Sequence, residues 1–162
     1  MGNLLFSPSG RISPSEFMKG AIILIAIGAI LQLLNLVSIK LAMGLGFTIG
    51  LVTIWCWVVL WVKRFHDASK SGWMSLVVIL AWLVIAWIIS LLVMPFFAGD
   101  TAQQAAEMQV AMEAATEAGD FGAIWGTAME AAGAQAKKTA IPSAIMGIVV
   151  SGAVAYIGNM LI

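Results

Sequence analysis

Lys63-Arg64-Phe65-His66-Asp67-Ala68-Ser69-Lys70-Ser71-Gly72-Trp73 is the densest polar run in an otherwise strongly apolar chain. It carries the only histidine and four charged side chains, Lys63, Arg64, Asp67 and Lys70. Residues 41–62 before it and 71–99 after it contain no Asp, Glu, Lys, Arg or His. A helix crosses the hydrocarbon core of a bilayer in about 20 apolar residues, and both flanks are long enough. The run therefore reads as a short connector, residues 63–72, between two membrane helices.

Composition supports this reading. Of 162 residues, 62% are hydrophobic and 10% charged, against about 25% charged in a soluble domain. Mean hydropathy is +1.02. The formal net charge is zero, so the basic footprint of a nucleic-acid-binding protein is missing. Cys56 is the single cysteine and cannot form a disulfide within the chain. One Cys and one His are too few for a zinc site built by this chain alone. No cofactor or metal ligand set is expected, nor a cleavable signal peptide.

The expected fold is all-α and polytopic: one membrane domain with four transmembrane helices. Residues 1–19 precede the membrane. Within them Ser13-Pro14-Ser15-Glu16 has the pattern of a helix start, with Ser13 as cap, Pro14 in the first turn and Glu16 closing a capping box. Residues 20–39 form the first span, where Gln32 and Asn35 share a face and predict an interhelical hydrogen-bond pair. A turn at Lys40 leads to the second span, residues 41–62. Gly46 and Gly50 form a GxxxG pair there, which lets a second helix backbone approach closely. The third span covers residues 73–97, with Pro95 ending or kinking it.

Residues 98–140 differ in kind. Fifteen of them are alanine and six of the eight acidic residues lie among them. They predict an extramembrane helical hairpin, with caps at Asp100 and Asp120 and with Lys137-Lys138 closing its second arm. In that arm Phe121, Ile124, Trp125, Ala128 and Ala132 share a face, a candidate partner contact. The fourth span covers residues 141–162. Ser143, Gly147, Ser151, Ala155 and Asn159 recur every fourth residue, a small-residue stripe suited to helix packing.

Lys and Arg near helix ends set orientation. With both termini cytoplasmic, Arg11, Lys19, Lys63, Arg64 and Lys70 fall inside and Lys40, Lys137 and Lys138 outside. The connector's cations are then expected to meet anionic lipid headgroups.

Two stretches carry a family resemblance. Gly10-Arg11-Ile12-Ser13-Pro14-Ser15-Glu16-Phe17 resembles the opening motif of DUF805, a family of small bacterial inner-membrane proteins. The run from Lys63 to Trp73 resembles that family's His-Asp loop in order and spacing. The resemblance spans about residues 4–97. It implies a polytopic bacterial inner-membrane protein and no established activity. Ser13-Pro14 departs from the family's usual basic position, Met18 and Met74 stand where tryptophan is common, and the alanine-rich C-terminal part replaces the usual tail.

The polar residues of the two motifs, Arg11, Glu16, Arg64, His66, Asp67 and Lys70, are expected to gather at one membrane face, with Glu16 or Asp67 neutralising Arg11 or Arg64. His66-Asp67 invites a catalytic reading, with Ser69 or Ser71 as nucleophile. Neighbouring residues on a helix diverge, however, and a triad needs both partners within hydrogen-bond reach. The expectation is therefore no catalysis. The spans lack the ionisable groups that carriers keep near the midplane. The favoured reading is a non-catalytic accessory or organising subunit of a membrane complex, with a membrane-protein partner or a second copy as its contact. The alternatives are a small transporter or channel, and an enzyme acting on lipid headgroups through His66-Asp67.

Overall fold

The computed structural model describes residues 2–97, 101–117 and 119–162. Six α-helices and one 3-10 turn follow in order: α1 (Gly2–Leu5), α2 (Pro14–Leu33), the turn Leu34–Leu36, α3 (Ile39–Asp67), α4 (Met74–Phe97), α5 (Thr101–Glu117) and α6 (Phe121–Leu161). The regular structure among the described residues is helical throughout. Helices α2, α3, α4 and α6 are each long and apolar enough to cross a membrane. The chain is a helical membrane protein.

Local chemistry explains the boundaries. At the start of α2 the Ser13 N–H donates to Glu16 Oε2 at 2.9 Å, and the Glu16 N–H donates to Ser13 Oγ at 3.3 Å, a complete capping box. Helix α2 stops at Leu33, earlier than residue 39. Asn35 Nδ2 donates to the Gln32 carbonyl at 3.0 Å, so the side chain competes with the backbone ladder. Gln32 and Asn35 thus bond locally rather than across helices. Ser38, with extended backbone, then caps α3 by accepting from the Leu41 N–H at 3.4 Å. The turn lies at residues 34–38, before Lys40.

Helix α3 runs through most of the expected connector, to Asp67. It ends in a Schellman turn. Ser69 takes the left-handed conformation (φ 58°), its N–H donates to the His66 carbonyl at 3.1 Å, and the Lys70 N–H donates to the Phe65 carbonyl at 2.8 Å. Ser69 holds the left-handed position of this turn. Gly72 serves close approach, since a Cβ there would lie 3.0 Å from His66 Nε2.

Helices α5 and α6 form the expected hairpin through Gly119 (φ 66°) and the Asp120 cap, whose Oδ1 accepts from the Ala123 N–H at 3.0 Å. The expected cap at Asp100 lies outside the described residues. The second arm does not end at Lys137-Lys138. It continues through Pro142 into the fourth span, so α6 is one helix of 41 residues. Nothing in 138–141 supplies the glycine or asparagine that stops a helix, and one proline removes only one ladder bond. At 1.5 Å per residue α6 is about 60 Å long, roughly twice the hydrocarbon thickness. Its charged residues, Glu130, Lys137 and Lys138, all lie in its N-terminal half.

Helix α2 packs most closely on α6 and then on α3, while α4 leans on α3 and α6, and α5 lies on α6. The core joins Ile12, Phe17, Ala21, Leu24, Cys56, Leu60, Trp61, Phe65 and Ala155. Phe17 and Trp61 stack at 4.6 Å between ring centroids. The outer surface is apolar, with α4 exposing Val77, Leu80, Trp87 and Leu92, as a lipid-facing helix does.

The tightest approaches fall at two other glycines. A Cβ at Gly158 would sit 2.6 Å from Trp61 Cη2, and one at Gly20 would sit 2.8 Å from Leu60 Cδ2. At Gly46 and Gly50 it would meet nothing within 4 Å among the described residues, so the GxxxG pair packs none of the described helices. Gly158→Ala should therefore lower stability by about 1–3 kcal/mol through overpacking. Gly46→Ala should leave it unchanged or raise it by up to about 1 kcal/mol through helix propensity. Thermal unfolding of both variants in one detergent checks the opposite signs.

Candidate functional site

The two polar stretches meet at one end of the bundle, through side chains that divide into a closed network and an open notch. Arg64 is the centre of the network and is 6% exposed. Its Nε donates to Asn159 Oδ1 at 2.7 Å, its Nη2 to the Asn159 carbonyl at 3.1 Å, and its Nη1 to Asp67 Oδ2 at 2.9 Å. Asn159 Nδ2 in turn donates to the Pro14 carbonyl at 3.2 Å. One guanidinium thus ties the end of α3 to the end of α6, and through Asn159 to the start of α2. Lys63, 4% exposed, donates its Nζ to the Leu4 carbonyl at 3.4 Å and holds α1.

These positions correct the expected headgroup contact of the whole connector. Lys63 and Arg64 point inward because they sit on the last turns of α3, on the face that meets α1 and α6. Asp67 neutralises Arg64, as expected. Glu16 does not pair with Arg11, because its carboxylate is held by Ser13. His66 and Asp67 point different ways: the Asp67 carboxylate faces Arg64, and the His66 ring lies toward Gly72.

The open part is a notch lined by Gly10, Arg11, His66, Ser69 and Lys70. Its residues come from both stretches, brought together by Ile12 and Phe17 packing into the core beside Trp61 and Phe65. A family model, described as a protein of unknown function (DUF805), matches residues 5–105, most of the chain. The chain belongs to the DUF805 family. Comparison with curated proteins and with solved structures gives no match. The DUF805 region holds Arg64, Asp67 and the whole notch, but Asn159 lies beyond it.

The small-residue stripe of α6 is not a uniform packing strip. Ala155 is fully buried in the core and Asn159 binds Arg64. Ser151 Oγ accepts from Trp82 Nε1 at 3.2 Å, linking α6 to α4. Ser143 is half-buried, and Gly147 faces a cavity. That cavity, about 290 Å³, is bordered by all four long helices, with Gly28, Gln32, Thr53, Trp57, Trp82 and Gly147 on its walls. Helices α3 and α6 touch at both ends, Ile39 near Gly133 and Trp61 near Gly158, and leave the space between. Its polar side chains are neutral, and Thr53 Oγ1 is already bonded to the Ile49 carbonyl at 2.8 Å.

The role of Asn159 carried no signal in its own stretch, where it reads as the last step of the stripe. Asn159→Leu should cost roughly 1.5–3 kcal/mol, because it strips a buried guanidinium of an acceptor. Asn159→Asp keeps an acceptor for Arg64 and should lose less. Unfolding in detergent, with the two variants side by side, measures the difference.

Proposed function

We propose that the protein is a non-catalytic component of the bacterial inner membrane, with both termini cytoplasmic, that acts by binding as an accessory or organising subunit of a larger assembly. The observation that carries this is the projecting part of α6. Phe121 and Trp125 stand 78% and 60% exposed there, on a helix too long to be covered by lipid. Beside them a groove of about 880 Å³ runs between α6 and the start of α3, lined by Val37, Ile39, Trp125, Met129 and Lys137 among others. Large exposed aromatics next to a groove, outside the hydrocarbon, are the chemistry of a protein contact.

Two further points favour binding over turnover. Asp67 is committed to Arg64, which leaves His66 without the orienting carboxylate that a general base uses. The cavity among the helices is walled by apolar and neutral polar groups, whereas coupled carriers place ionisable groups at such depth. The outward face of Gly46 and Gly50 is open to a neighbouring helix, of a partner or of a second copy.

The test is purification in mild detergent from the native host at native abundance. Phe121→Glu with Trp125→Glu should release a protein that co-migrates with the wild type, while His66→Ala should not. If the aromatic pair is silent and His66→Ala abolishes a lipid turnover in a folded protein, the enzyme reading replaces this one. Orientation has its own check. A cysteine at Glu117 should react with an impermeant reagent in intact cells, and one at Lys70 only after permeabilisation.

A further inference from the structure

We propose that the notch of Gly10, Arg11, His66, Ser69 and Lys70 is a binding site for a phosphate group, carried by the headgroup of an anionic phospholipid. The inference is independent of the protein-contact reading, which concerns the opposite end of the molecule.

The argument starts from how the charges at this end are used. Lys63 and Arg64 are buried and bonded inside the chain. Arg11 and Lys70, by contrast, have no hydrogen-bond or ion-pair partner for their side chains among the described residues. They border the same notch, and no carboxylate borders it with them. The two nearest in sequence are occupied elsewhere, Asp67 by Arg64 and Glu16 by Ser13. Two cations brought together by folding repel one another, and an anion between them removes that cost.

The donor set selects the kind of anion. Arg11 offers a planar fork and Lys70 a compact charge with three donors. The Ser69 hydroxyl and the His66 ring border the same notch, from the turn that carries Lys70. A guanidinium from one segment and an ammonium and a hydroxyl from another, on one notch, suit an anion with several acceptor oxygens, as a phosphate has. The Schellman turn places Ser69 and Lys70 next to His66, while Ile12 anchors the segment that brings Arg11.

Placement favours a lipid source over free phosphate. The notch lies where α2 begins and α3 ends, at the rim of the apolar bundle. Trp73, 78% exposed, stands just after it, in the position an interfacial tryptophan takes at headgroup depth. A phosphate at that depth belongs to the surrounding bilayer.

The experiment uses the full chain in phosphatidylcholine nanodiscs doped with phosphatidic acid or phosphatidylglycerol, with bound lipid counted by native mass spectrometry. A parallel arm titrates inorganic phosphate into the delipidated protein in detergent. Arg11→Gln with Lys70→Gln should weaken retention of anionic lipid at least about tenfold, as loss of a charge-assisted hydrogen bond does. Lys19→Gln removes an exposed cation of the same end that does not line the notch, and should change retention no more than about twofold, as a screened surface charge does. Arg11→Lys should restore part of the loss. Equal losses for Lys19→Gln and the double variant would mean diffuse attraction and overturn the site. So would unchanged retention in a double variant that unfolds at the wild-type temperature. Binding of inorganic phosphate that is lost in the double variant, with no lipid preference, would keep the phosphate site and reject the lipid source.

Discussion

A guanidinium taken out of water must find acceptors or the fold does not close. Arg64 is that group here, and its neighbours are arranged around the requirement. Asp67 supplies charge from one turn below, and Asn159 supplies two oxygens from the far end of the chain. Because Asn159 also reaches the Pro14 carbonyl, satisfying Arg64 sets the depth of α6 against α2 and α3 together. The apolar contacts follow from that register. Trp61 lies against Gly158, Leu60 against Gly20, and Ala155 enters the core. In a membrane, where apolar burial gains little between helices already in hydrocarbon, one saturated polar junction is the natural source of a unique register.

Small residues then act in three different ways that look alike in sequence. Gly20 and Gly158 permit backbone approach to Leu60 and Trp61. Gly28 and Gly147 leave room, lining a cavity that a larger side chain would fill. Gly46 and Gly50 face outward and pack nothing among the described residues. Spacing alone treats a small residue as a contact. Whether it is a contact, a gap or a free face depends on what stands opposite, and that is a property of the folded bundle.

The same distinction explains how much the sequence revealed. The four long helices were legible because hydrocarbon imposes its own length on apolar runs, and the α2 cap because Ser13 and Glu16 interact within four residues. The meeting of the two motifs was legible from their placement at one end. The division of labour inside them was not. Arg64 turns inward because of its phase on α3 and of Asn159, some 95 residues away, which no local pattern encodes, while Arg11 lies exposed before α2 begins. The continuity of α6 was missed because Lys137-Lys138 reads as the end of a helix, where cations suit the macrodipole, although nothing after it stops the backbone ladder.

This dependence across the chain bears on what the DUF805 segment is. The family match ends at residue 105, yet the helix that completes Arg64, covers Trp61 and contributes Ala155 lies beyond it. A chain cut at that boundary would leave a buried cation with Asp67 alone and an indole facing a gap. In this chain Arg64 of the motif region takes two of its acceptors from a helix outside that region. Here α6 provides the acceptor at one end and, at the other, exposes Phe121 and Trp125. One continuous helix thus joins the polar junction to the exposed aromatic face.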